Sequence, residues 1–332
     1  MGGEHTRDQP FVAALVLAVA MLAAPIAATA DGDEPLPPSS QDFSWDTVVG
    51  QGPSAYERAL REGDDHIVAG TDRTFRPEHQ GRARRAIRAY EHAAKLRPNA
   101  SEPQYRLAQL YYTFYIANQD RFIPDRSKTR AAIKHWDRFE ELAPLDPRLP
   151  DVLFQRSLAL TKQADTESFG DAIGIYDRLL GMSSADTIDP NTISIYLGNK
   201  AELHMMQGEL DEAIDHYNQA IEYGSRSWLG YGLAVALDRD GQGVKARQVM
   251  RINLFNDKQM QRLSQEGTFF VPAGEKFYYQ ALGYEVLGDV KKAVRHYRAF
   301  IDSGAHPRYQ PRARENLRRL EKKRKRSKPK ER

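Results

Sequence analysis

The sequence contains no cysteine. That excludes disulfide staples, a thiol nucleophile, thiolate metal sites and lipid attachment at an N-terminal cysteine. Net charge is also slight, since 48 Lys and Arg stand against 45 Asp and Glu. The short signatures of catalysis and ligation are missing too: there is no HExxH, no EF-hand loop and no GxSxG. Gly50-Gln51-Gly52 precedes no strand pattern and Gly230-Tyr231-Gly232 lies within a helical one, so neither reads as a phosphate loop. The expectation is a non-enzymatic protein with no cofactor, no metal and no small-molecule substrate.

Only one long apolar run is present, at residues 11–28 (FVAALVLAVAMLAAPIAA). Ala28 and Ala30 then supply the small residues a signal peptidase reads, Pro25 ends the apolar helix, and Asp31 opens a polar stretch. Residues 1–30 therefore read as a secretory signal, although Arg7 is offset by Glu4 and Asp8. A run of about 18 apolar residues also just spans a bilayer, so an uncleaved inner-membrane anchor is the alternative. Either way the bulk of the chain is expected outside the cytoplasm, in a periplasm. Residues 31–53 are rich in Pro, Gly, Ser and acid and read as a disordered linker, with Trp45, Val48 and Val49 as a short docking segment if it is not merely a leader.

From Ser54 onward almost everything has helical period. Gly208 and Ala213 recur as Gly241 and Ala246, and again as Gly288 and Ala293. An Ala on each of two helices lets their axes approach, an aromatic one turn on fills the space beside it, and Gly supplies the exit from the first helix. No such unit buries its stripe alone, so neighbours must stack. The segments 207–224 (QGELDEAIDHYNQAIEYG), 287–304 (LGDVKKAVRHYRAFIDSG) and 85–98 (RAIRAYEHAAKLRP) resemble tetratricopeptide (TPR) repeats. About six units are expected over 54–307, with Lys200 and Gln280 in place of the usual Leu and extra residues after Tyr111 and before the last unit. The resemblance implies an all-α, right-handed solenoid of stacked helix-turn-helix repeats. His135, His216 and His296 occupy equivalent places in three units and read as architecture rather than as a metal site.

The resemblance further implies that first helices line a concave groove. Followed at i, i+4 and i+7, their stripe yields the candidate partner-binding residues Tyr105, Gln109, Tyr112, Met205, Tyr231, Asp238, Tyr278 and Glu285. Tyr and Met surfaces bind peptides through large apolar area with a polar handle. The competing expectation is that these rings pack between units. The stripe lacks the Lys and Asn of the TPR subtype that grips a C-terminal carboxylate, which disfavours that role.

The aromatic loops 119–128 and 267–274, with Phe122, Phe269 and Phe270, either recognise a partner or fold back into gaps. Residues 308–321 read as a capping helix. Residues 322–332 read as a disordered basic tail, in which Lys322, Lys323, Arg324, Lys325 and Arg326 suit an anionic partner. Behind an export signal, lipid headgroups, lipopolysaccharide or an acidic protein fit better than nucleic acid. The expected function is a scaffold or adaptor for other envelope proteins, the alternative being a binder of nucleic acid or an anionic polymer or lipid through the tail.

Overall fold

Helices without strands make up the described residues of the computed structural model, which are 52–68, 79–117, 125–182, 189–224, 227–264, 268 and 270–326. The signal, most of the linker, the centre of the first long loop with Phe122, Phe269 and the last six residues lie outside them. The chain divides into two compact units after Gln163. The first holds α1 (Ala55–Val68), α2 (Gln80–Leu96), α3 (Glu102–Tyr111), a π-helical turn (Tyr112–Ala117), α4 (Arg126–Leu142) and α5 (Leu149–Thr161). The second holds α6 (Thr166–Met182), α7 (Pro190–Gln207), α8 (Leu210–Tyr223), α9 (Ser227–Arg239), α10 (Gly243–Asn256), α11 (Glu275–Val286), α12 (Val290–Asp302) and α13 (Gln310–Arg326), with 3-10 turns at Gln261–Ser264 and Pro307–Tyr309.

Local chemistry explains where these helices start and stop. Prolines stand in the first turn of α3, α5 and α7, where no amide donor is required. The Asp125 and Asp289 side chains accept from the amides of Ser127 at 2.8 Å and Lys292 at 3.0 Å, capping α4 and α12. At the turns after α7, α9 and α11, Gly208, Gly241 and Gly288 adopt φ of 90°, 87° and 79°. Each turn closes with the paired bonds of a Schellman motif; after α7, the amides of Gly208 and Glu209 reach the Met205 and His204 carbonyls at 3.1 and 2.9 Å.

The recurring small residues sit where close packing needs them. Ala86, Ala132, Ala172, Ala213, Ala246 and Ala293 are all fully buried, one in each second helix. Four residues on, Tyr90, Trp136, Tyr176, Tyr217, Met250 and Tyr297 are buried as well. Burying such a side chain is worth about 1.5–3 kcal/mol, which is what holds each pair together. Three histidines equivalent in sequence pack against neighbouring rings: His135 stacks on Tyr111 at 5.9 Å, His216 meets His204 at 5.2 Å, and His296 stacks on Tyr284 at 5.0 Å. Burial depresses the His135 imidazole to about 4, with Lys134 adding to the effect.

One expectation changes at the chain's end, and in the second long loop one of the two alternatives is met. Lys322 to Arg326 are not disordered; they form the exposed last turns of α13, because the stripe of Ala313, Leu317 and Leu320 anchors the helix that carries them. In the loop before α11, Phe270 is buried against Tyr279 at a ring separation of 5.3 Å, so it fills a gap and is not offered to a partner.

Candidate interaction surfaces

The second unit brings most of its anticipated groove residues together and then closes over them. Asp238 is fully buried; it accepts from Tyr278 Oη at 2.7 Å, Asn316 Nδ2 at 2.7 Å and Arg312 at 3.0 Å. Glu285 is only 6% exposed at its side chain and forms a two-point ion pair with Arg319 at 2.8 and 2.9 Å. The fully buried Met205 lies beside the same segment, since Tyr309 Oη donates to its carbonyl at 2.5 Å. Met205, Asp238, Tyr278 and Glu285 therefore do not line an open groove. Residues 307–319 of the chain itself occupy that face. Tyr231 is fully buried elsewhere, donating to Asp257 Oδ2 at 3.0 Å, because α9 is buried on every side from Trp228 to Arg239.

Ionisable groups inside this unit are matched to one another. Glu202 is buried and accepts from the Tyr217 hydroxyl and from Tyr279 Oη at 3.0 Å; burial pushes its carboxyl up to about 7. Arg239 and Glu275 form a buried ion pair at 2.5 Å. The guanidinium of Arg239 lies 4.0 Å from the Tyr309 ring centroid and 4.7 Å from that of Tyr278, so aromatic faces supply part of what lost water supplied. These are the perturbed groups that a search for acid–base chemistry would select. Each is engaged with a neighbouring side chain in the core.

In the first unit the anticipated stripe is only partly covered. Tyr112 is buried, its ring 5.7 Å from Trp136. Tyr105 and Gln109 stay half-buried. Arg148 lies 4.1 Å from the Tyr105 ring centroid, and burial raises the phenol above its ordinary range. Both polar atoms of the Gln109 amide are shielded from solvent and have no hydrogen-bond partner. Glu102 supports this edge of α3: burial pushes its carboxyl up, but hydrogen bonds from Arg106 at 2.7 Å and Arg148 at 2.9 Å outweigh burial and hold it below its usual range.

One exposed surface was not anticipated from the sequence. Val244, Ile252 and Phe255 on α10 are 67%, 73% and 78% exposed. Their spacing reads as a core stripe in one dimension, and only the companion stripe of Ala246, Met250 and Leu254 reveals which side is buried. Beside the start of α10 is an open cleft of about 410 Å³ lined by Lys245, Arg247, Arg312 and Arg319 among others. Its arginines are ion-paired with Asp238 and Glu285, so the cleft is less cationic than its composition suggests.

The fold and its buried small-residue seams define an all-α protein of TPR-like helix pairs. Solved structures similar to the chain include PilF of Pseudomonas aeruginosa, at 14% identity, covering 77% of this chain and 96% of that one with a TM-score of 0.45. Another is YrrB, a TPR protein with an unusual peptide-binding site, at 12% identity, 67% and 96% coverage and a TM-score of 0.38. The TPR domain of P58(IPK) is similar at 15% identity, 80% and 77% coverage and a TM-score of 0.23. No protein-family model matches the chain, and no curated protein matches it.

Proposed function

We propose that the protein is a non-enzymatic scaffold, exported to the periplasm or anchored at the outer side of the inner membrane, that binds a segment of another protein along α3. Gln109 carries this reading. Its amide is unpartnered and lies one helical turn from the half-buried ring of Tyr105. A primary amide offers one acceptor and two donors, the complement of an extended backbone, while a Tyr held by an Arg makes a rigid anchor. Leaving that amide unpaired costs about 1–3 kcal/mol, which an incoming backbone would offset once the side chain rotates to bring its shielded polar atoms to the surface. The apolar run at 11–28 supports export.

Affinity capture from envelope extracts tests the proposal, comparing wild type with Gln109→Leu and with Glu91→Gln on the exposed side of α2. The expected result is a partner held by wild type and Glu91→Gln and lost at least about tenfold by Gln109→Leu, a difference of roughly 1.4 kcal/mol. Equal recovery by all three would sink it. Substitutions at Tyr231 or Tyr278 are unsuitable for this purpose, because both are core residues and report folding. Sequencing the N-terminus of the protein from its natural host tests export; a start at Asp31 is expected.

A further inference from the structure

The outer side of α10 has no counterpart on the other second helices among the described residues. At 3.6 residues per turn, Val244, Gln248, Arg251, Ile252 and Phe255 fall within an arc of roughly 100° along about 16 Å of helix. Three of the five are large apolar side chains at least two-thirds exposed. The remaining exposed large apolar residues, such as Leu145, Met182 and Tyr223, stand singly in turns or at helix ends.

Charge separates this helix from its equivalents as well. The sequence of α10, GVKARQVMRINLFN, contains three cations and no acid. Exposed acids mark every other second helix: Glu91 on α2, Glu141 on α4, Asp171 on α6, Asp215 on α8 and Asp302 on α12. Lys245, Arg251 and, in the turn that follows, Lys258 are exposed around the apolar residues. Apolar side chains alternating with cations along one exposed helical face form the pattern of a helix that lies in a membrane interface: the apolar groups enter the acyl boundary and the cations meet headgroups. The helix cannot span, and no described helix is long and apolar enough to cross a membrane.

We propose that the outer face of α10 docks on an anionic lipid surface, with Val244, Ile252 and Phe255 inserted and Lys245, Arg251 and Lys258 at the headgroups. Charge complementarity selects lipid of this kind, because an anionic surface attracts the three cations and a neutral one does not. The proposal is independent of the protein-binding reading, which rests on α3 in the other unit.

Absence of cysteine makes a site-specific test direct. Gln248→Cys in the full chain is labelled with an environment-sensitive fluorophore, and Asn218→Cys on the exposed side of α8 is labelled as the control. Vesicles of mixed phosphatidylcholine and phosphatidylglycerol should blue-shift the label at 248, allow its quenching by doxyl lipids and leave the label at 218 unchanged. Phosphatidylcholine alone should give no shift. Adding Ile252→Asp and Phe255→Asp should lower the shifted fraction at least about tenfold, and added salt should weaken it. These residues are mostly exposed, so the helix should remain folded by circular dichroism. Because the label reads its own surroundings, insertion of residues 11–28 does not mimic the result. The proposal is overturned if the label at 248 stays aqueous on anionic vesicles or shifts no more than the label at 218. A shift that appears only when a protein fraction replaces lipid overturns it too, and assigns the face to a protein.

Discussion

Glu202 is a buried carboxyl held by two phenols, and that arrangement makes stability depend on pH. Its folded value of about 7 lies above the ordinary 4.5, so between those limits the folded state binds the extra proton. Stability from this group is complete below about 4.5 and is lost as pH rises through about 7, by up to roughly 3 kcal/mol. Glu202→Gln should flatten the urea midpoint between pH 5 and pH 8 and be more stable than wild type at the upper end. His135 acts with the opposite sign. Its folded value of about 4 lies below 6.5, so its contribution is present above that value and fades on acidification. Glycines give a second test at this scale. Gly241→Ala meets no atom within 4 Å and should cost only the left-handed backbone, about 1 kcal/mol by thermal melting. Gly208→Ala adds a Cβ that would lie 1.6 Å from the guanidinium of the exposed Arg308, a flexible side chain that can swing aside, so its cost should be similar, set by the same left-handed backbone.

At the scale of elements, α13 does more than solvate the end of the array. Arg312 and Asn316 neutralise and bond Asp238, Arg319 holds Glu285, and Ala313 and Leu320 are buried. Deleting residues 305–332 should remove the Arg312 and Asn316 partners of Asp238, take Tyr309, Ala313 and Leu320 out of the core and expose the ring of Tyr297, costing at least about 3 kcal/mol. Dye binding and a lowered urea midpoint would report that loss. Deleting only 327–332 leaves all of these contacts and should shift the midpoint by less than about 0.5 kcal/mol. Equal effects of the two deletions would mean that the helix is an appendage. Within the core, Arg239→Met should cost about 3–5 kcal/mol by leaving the buried Glu275 with only His306 at 3.7 Å as a partner.

At the scale of the molecule, repeat architectures derive stability from each unit and its nearest neighbours. Tyr297→Ala should remove about 3–5 kcal/mol by opening a cavity among Tyr278, Phe300 and Asn316. Hydrogen exchange should then rise first in α11, α12 and α13 and stay near wild type in α1 and α2. Uniform loss of protection throughout the chain would contradict this modular picture. The repeat itself was legible in advance, because the small-residue and aromatic spacing demands helix pairs. The anticipated binding stripe was legible as a helical face but not as a surface. Tyr105 and Gln109 stay half-buried on α3, whereas Met205, Asp238 and Tyr278 have the same spacing and are buried. Spacing assigns a residue to a helical face but does not say what covers that face.

What the sequence determined alone was local and periodic: helices in pairs, their glycine exits, the seams of Ala and aromatic residues, and the equivalence of His135, His216 and His296. Each follows from contacts between residues close in the chain, where backbone preference and helical spacing suffice. Tertiary structure decided which surfaces remain open. Asn316 meets Asp238 from 78 residues away and Tyr309 meets Met205 from 104, and only such distant contacts turn an apparent groove into core. The same reasoning in reverse left Val244, Ile252 and Phe255 uncovered on α10, because no distant segment among the described residues folds over them.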